Sequence, residues 1–297
     1  MRFSLIVATR GRVRELDELF ASLLAQGRSD VEVIVVDQNE DERLAEVITR
    51  YVQRFPLFWQ RSDVLNANHA RNLGLGMARG GIVGFPDDDC ILPPGVLDLV
   101  DAAFSYDIRL QILTGPAASP EGGLGSGRWR QDGGAITDEN VWTSVIEFNL
   151  FLRRAAALAL GGFDEKLGPG TPLGSAEGND LVLRGIRAGQ KAIYDPELRI
   201  IHPDKRLTPE ATKRAETYGR GLGFVLRRHG VRSGVWLPYF VRPVGGIVLS
   251  LLRFNLLAAR YYAATLRGRL AGFRDKNALL PFRLSPMRSD HPLTGPL

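Results

Sequence analysis

Three consecutive carboxylates, Asp87, Asp88 and Asp89, follow an apolar run at residues 81–85 (GIVGF), one proline removed. Like charges at the end of a buried strand destabilise it unless something neutralises them, and a divalent cation does so economically. Alternate residues Asp87 and Asp89 can present two carboxylates to one site where the backbone turns, and hard oxygen ligands suit Mg2+ or Mn2+. A cation so held can bridge a diphosphate and neutralise it as it leaves. A solvated turn is the plainer use of such a triplet.

The elements that must position these acids are legible from periodicity. Phe3–Thr9 (FSLIVAT) is a continuous apolar, β-branched run, and residues 13–26 follow with Leu16, Leu19, Phe20, Leu23 and Leu24 at helical spacing. Val31–Asp37 repeats the strand pattern, residues 42–55 the helical one, and residues 81–85 form a third strand. This alternation predicts an α/β fold, a mostly parallel central sheet flanked by helices. Ligands of such sheets sit outside the carboxyl ends of the strands, where Thr9-Arg10, Asp37 and Asp87 with Asp89 fall. Each of these taken alone can equally cap the helix that follows it. Leu110–Thr114 reads as a further strand, residues 117–134 as a Gly/Ser-rich mobile loop over the cleft, and residues 147–152 as another apolar segment.

With 297 residues, 44% hydrophobic and 24% charged, the chain can bury a large core, and its composition excludes disorder. The single cysteine, Cys90, excludes an intrachain disulfide and the usual multi-cysteine zinc sites. The first apolar run is cut off by Arg10, too soon for a signal h-region, which points to a cytoplasmic setting. From Lys205 onward there are 17 Lys and Arg against 4 Asp and Glu, a balance of +13. Residues 1–204 hold 21 and 29, a balance of −8. An acidic first part and a basic tail are different surfaces, and the tail suits an anionic membrane, nucleic acid or plain solvent.

The order of segments IVATRGR, VVDQNED, NANHARNLGLGMARGGIVGFPDDDC followed by Pro94, GGFDE, AEGNDLVLR and IIHP resembles glycosyltransferase family 2 over about residues 1–204. The resemblance implies the GT-A (nucleotide-diphospho-sugar transferase) fold and an inverting, metal-dependent transfer from a UDP-, GDP- or dTDP-sugar. It implies that Thr9 and Arg10 line the nucleotide pocket, that Asp37 reads the base, and that Arg71 and Asn72 with Gly74 lie beside the nucleotide. Asp87 and Asp89 match the DxD motif, the first near the ribose and the last on the metal, with Asp88 counted to the nucleotide-sugar pocket. His202 matches a histidine that completes the shell of a Mg2+ or Mn2+ ion.

An inverting transfer needs a carboxylate to take the acceptor hydroxyl's proton. The family's Glu-Asp pair reads Glu177-Gly178 here, so the position of the usual base is a glycine. Glu177 and Asp180 are the remaining candidates. Glu177 flanks the vacant position, whereas Asp180 begins a helix at residues 181–188 and can cap it. Gln38 and Cys90 also depart from the family's acidic pattern.

In the tail, residues 244–266 are strongly apolar, and Arg242, Arg253, Arg260 and Arg267 follow at spacings of 11, 7 and 7, which places them on one helical face. Central arginines disfavour a bilayer-crossing helix, at roughly 2.5–3.5 kcal/mol each. An interfacial helix is expected instead, or one packed on the catalytic domain. No recognition motif supports nucleic-acid binding.

These readings predict a GT-A domain at residues 1–204 and a basic helical C-terminal extension at residues 205–297. The expected protein lies peripherally on the cytoplasmic membrane face and acts on a glycan or polyprenyl-linked acceptor. Two other classes remain open: a non-catalytic nucleotide-sugar binder, favoured by Gly178, and a sugar-phosphate nucleotidyltransferase, disfavoured by the plain ATRGR after the first strand. A dinucleotide oxidoreductase lacks its glycine fingerprint there.

Overall fold

The computed structural model describes residues 1–280 and 282. Its first half alternates β1 (Phe3–Thr9), α1 (Arg14–Leu24), β2 (Val31–Asp37), α2 (Ala45–Tyr51), β3 (Leu57–Arg61), α3 (Ala67–Met77), β4 (Ile82–Gly84), α4 (Val96–Tyr106) and β5 (Leu110–Thr114). There follow β6 (Ala117–Ala118), β7 (Gly134–Ala135), β8 (Leu150–Arg153), α5 (Arg154–Ala159), α6 (Glu177–Arg187), β9 (Lys191–Tyr194) and β10 (Ile200–Ile201). Three helices close the described chain: α7 (Pro209–Arg228), α8 (Ser233–Leu252) and α9 (Leu256–Arg274).

The main sheet runs β3-β2-β1-β4-β8-β5-β9-β7, and β10 pairs with β6 in a small second sheet. Strands β1 to β4 are parallel, and β8 inserts antiparallel between β4 and β5. Every residue of β2 is buried, as both-face coverage of a parallel sheet requires. Alternation along β1 divides the core: Phe3, Leu5 and Val7 face α1, α2 and α4, while Ile6 faces α3, α6 and α7. Gly74 lets α3 lie on that second face, since a Cβ there would collide with the Ile6 side chain.

Several expectations are corrected. The helix expected over residues 42–55 is confined to Ala45–Tyr51, and the segment after it forms an unforeseen edge strand, β3, beside β2. The expected loop over residues 117–134 carries β6 and is tied down by Asp204, which accepts hydrogen bonds from Ser119 Oγ and from Ser126. Helix α6 begins at Glu177, so Asp180 lies inside its first turn and caps nothing.

The expected single helix over residues 244–266 is instead a hairpin. It turns at residues 253–255, with Phe254 in the left-handed region at φ 54°. Arg253 sits in the turn and Arg260 and Arg267 on α9, so the four arginines do not share one helical face. Of the four, α8 contains Arg242 alone. Helices α7 and α9 approach closely through glycines: a Cβ at Gly219 would meet the Thr265 carbonyl oxygen at 2.5 Å, and Gly223, Gly268 and Gly272 touch opposing backbone in the same way. Phe224 and Val225 of α7 join the buried cluster of Val83 and Phe163, so the tail packs on the sheet domain.

Candidate active site

The carboxyl ends of β1 and β2 are stitched together, with the Gln38 N–H donating to the Thr9 carbonyl and the Gly11 N–H to Asn39 Oδ1. Asp37 is fully buried. Its Oδ1 accepts from the Asn39 backbone and side chain, and its Oδ2 accepts from Trp59 Nε1 at 3.0 Å, with Arg61 Nη1 at 3.4 Å. Trp59 and Arg61 come from β3. Thr9 Oγ1 is buried and finds no hydrogen-bond partner among the described residues, while Arg10 is exposed beside it.

After β4 a turn closes with the Cys90 N–H on the Asp87 carbonyl, and an Ile91–Ile201 bridge brings His202 onto the acidic triplet. Asp87, Asp89 and His202 offer ligand atoms that all lie within 4.8 Å of one another. Burial would raise the Asp89 carboxyl, but His202 and Arg12 outweigh it and hold it below its ordinary value. Asp88 faces the other way, buried against Arg12 Nη1 at 2.5 Å, and the same nitrogen lies 2.8 Å from Asp89 Oδ2. Burial raises the Asp88 carboxyl and Arg12 opposes it.

These residues fit a hard divalent cation. Asp89 Oδ1 is buried without a hydrogen-bond partner among the described residues, facing His202 Nε2 at 3.3 Å. His202 Nδ1 lies 2.8 Å from the Pro203 carbonyl, a contact that in the neutral ring would put the proton on Nδ1 and free Nε2 for a cation. Burial lowers the imidazole, but Asp89 and Asp87 raise it above its ordinary value. The ring is fixed by stacking on Phe148, 4.4 Å between centroids and 4° from parallel.

Arg71 ties this cluster to α6. Buried in α3 over the Phe163 ring, it donates to Asp87 Oδ1 at 2.9 Å and Asn68 Oδ1 at 2.9 Å, and reaches Glu177 Oε1 at 3.4 Å. Burial would lower the Arg71 guanidinium, yet Asp87, Glu177 and Glu147 together raise it. Asn72 points to the GGFDE segment instead: its amide clamps the Phe163 backbone in both directions and donates to Glu165 Oε1. Burial first, and then Glu147, push Glu177 up to about 8 against the pull of Arg71.

The structure separates the two acids of α6. Asp180 points away from Arg71 and accepts from Arg184 at 2.8 Å, His229 at 2.9 Å and Arg228 at 3.3 Å, and the His229 hydrogen bond with the two arginines holds its carboxyl far below the usual range despite burial. Sequence reading missed Arg12, Asn68, Trp59 and Glu147 as members of this site. Arg12 and Asn68 lie within quoted motifs and were within reach. Trp59 and Glu147 reach the site only through tertiary contacts.

The glycosyl transferase family 2 model matches residues 4–148. The chain is 29% identical over 108 residues to the uncharacterized glycosyltransferase alr2836 of Nostoc, covering 35% of this chain and 33% of that protein. It is 35% identical over 77 residues to the uncharacterized glycosyltransferase EpsJ of Bacillus subtilis, 25% of this chain and 22% of that one. The matched segments thus span a third or less of these curated relatives. Among solved structures, the mannosyltransferase PcManGT of Pyrobaculum calidifontis, in complex with GDP-Man and Mn2+, superposes with a TM-score of 0.66 at 16% identity, covering 93% and 88% of the two chains. S. aureus TarS 1-349 in complex with UDP-GlcNAc gives 0.61 at 15%, covering 90% and 92%. Residues 4–148 belong to glycosyl transferase family 2, and the chain has the GT-A fold.

Proposed function

We propose that the protein transfers a sugar, with inversion and with a divalent metal, from a UDP-, GDP- or dTDP-sugar to a hydroxyl of a glycan or polyprenyl-linked glycan. The observation that carries this reading is the Asp87–Asp89–His202 cluster beside Arg71, at the carboxyl ends of parallel strands in a family 2 domain. Similar structures hold UDP-GlcNAc and GDP-Man with Mn2+.

Asp89 and His202 would hold Mg2+ or Mn2+, which supplies positive charge to the departing diphosphate. Asp37 is the proposed base-reading carboxylate, with Thr9 and Arg10 beside it; Asn39, Trp59 and Arg61 surround its oxygens, so a base N–H reaches it by displacing one of them. Arg71 orients Asp87 toward the ribose side. The acceptor's proton passes to a carboxylate of the group around Arg71, Glu177 or the neighbouring Glu147. Asp180, engaged by Arg184, Arg228 and His229, does not face that space.

The extension supports membrane association. Helix α8 has the length and apolar character of a membrane-crossing helix, at mean hydropathy 1.5, but carries Arg242 near its middle. At the hairpin tip Leu252, Phe254 and Leu256 are 71%, 91% and 61% exposed. An apolar tip on a basic tail fits insertion at an anionic surface, peripheral and on the cytoplasmic face.

Release of nucleoside diphosphate from a panel of UDP-, GDP- and dTDP-sugars with Mn2+ and glycan acceptors tests the activity. Wild type should turn over one donor and Asp89→Asn should not. Binding of nucleotide without release from any donor would favour the non-catalytic reading. Leu252→Ser with Phe254→Asn and Leu256→Ser should abolish flotation with anionic liposomes, and undiminished flotation rejects the anchor.

A further inference from the structure

Gly178 occupies the position at which family resemblance places an acid, and the space beside it is filled. A Cβ built on Gly178 would meet Glu147 Cγ at 3.1 Å, Oε1 at 3.1 Å and Cδ at 3.3 Å. The Glu147 carboxylate therefore stands where a side chain from residue 178 would project. It arrives from a different element, the short 3-10 turn Glu147–Asn149 that precedes β8, and is fixed by the Gly178 N–H donating to Oε1 at 3.2 Å.

We propose that Glu147 is the general base of the sugar transfer, replacing in space the acid that the glycine at 178 removes from α6. This rests on the proposed transferase reading. Three observations support it. Glu147 is half-buried and keeps contact with solvent, whereas Glu177 is buried and engaged with Arg71. The next residue, Phe148, stacks on His202, so the turn that carries Glu147 also supports the candidate metal ligand. Glu177, pushed up to about 8 by burial and by Glu147, retains its proton at neutral pH and does not compete for the acceptor's.

In the step itself, the acceptor oxygen bonds to the anomeric carbon as its proton passes to a Glu147 carboxylate oxygen. The bond from the anomeric carbon to the β-phosphate oxygen breaks, and its electron pair leaves with the nucleoside diphosphate. Glu147 then returns the proton to solvent. Glu177 acts as a positioning residue, holding Arg71 between itself and Asp87.

The test relocates the carboxylate. Gly178 has no left-handed backbone angle, so it accepts a side chain once Glu147 is shortened. Wild type, Glu147→Gln, Glu147→Ala and the double variant Glu147→Ala/Gly178→Asp are compared by nucleoside diphosphate release across the donor panel. Calorimetric binding of UDP, GDP and dTDP with Mn2+ is measured alongside. Glu147→Gln, nearly isosteric, should lower kcat about 100-fold or more with nucleotide affinity unchanged. The double variant should recover to within about tenfold of wild type, an outcome that a merely structural glutamate does not give. Near-wild-type kcat in Glu147→Gln overturns the assignment, as does a double variant no more active than Glu147→Ala. If wild type neither binds a nucleotide nor releases one, the transferase reading itself fails, which is a distinct result.

Discussion

Replacing Asp180 with alanine removes the hub of a buried ionic network without touching the cleft. Its side chain is fully buried and meets Arg184, His229 and Arg228 at 2.8, 2.9 and 3.3 Å, and Arg228 also binds Asp164 at 2.5 Å. The network joins α6 to the end of α7 and to the GGFDE segment, so its loss leaves cations buried between three elements. Breaking such a cluster from one side costs about 3–5 kcal/mol. At roughly 2–4 °C per kcal/mol for a chain of this size, the midpoint should fall by on the order of 10 °C. Urea and thermal unfolding followed by circular dichroism would measure it, with Asp180→Asn losing less because an amide still accepts hydrogen bonds. The partners hold the Asp180 carboxyl below its ordinary range, so its contribution is complete above the unfolded value and is lost as pH falls through the folded one. Wild type and variant should therefore converge in acid. An Asp180→Ala protein as stable as wild type but unable to turn over donor refutes this reasoning and makes Asp180 a catalytic group.

His202→Ala should weaken Mn2+ binding at least about tenfold, read by electron paramagnetic resonance titration, and unchanged affinity removes the histidine from the candidate shell. Glu177 titrates near 8 when folded against an ordinary 4.5, so the folded state keeps a proton that the unfolded chain releases. Stability should then decline as pH rises across that window, and Glu177→Gln should flatten the slope; an unaltered slope would count against the buried, protonated acid. Gly268→Ala places a Cβ against the Glu216 carbonyl of α7 and should cost about 1–3 kcal/mol, which a melt would detect.

The sheet was legible in sequence where burial on both faces forces unbroken apolar runs, as in β1 and β2, with Thr9 and Asp37 at their carboxyl ends and Asp87 after β4. Strand β3 was not, because LFWQR lies at the sheet edge, mostly half-exposed, and needs no such run. The tail misled for a related reason: nothing at residues 253–255 is glycine or proline, and the break at the left-handed Phe254 is marked locally only by Asn255, whose side chain caps α9 by accepting from the Ala258 N–H. The glycine pairs Gly219/Gly223 and Gly268/Gly272, at a four-residue spacing, lie at the α7–α9 contact, a signal that went unread in the sequence.

The sequence by itself determined which residue types are available for metal and nucleotide: the alternate acids Asp87 and Asp89, the arginine of ARN, and a histidine after a short strand. Local order along the chain carries that information, because strand, turn and helix are short-range structures. Which acids gather around Arg71 was decided only by the tertiary structure. Asp180 and Glu177 lie three residues apart on one helix, yet one is drawn into the cations of α7 and the other toward Arg71, while Glu147 arrives from a distant turn into the space that Gly178 leaves open. Packing between elements distant in sequence sets those directions, and no local pattern encodes them.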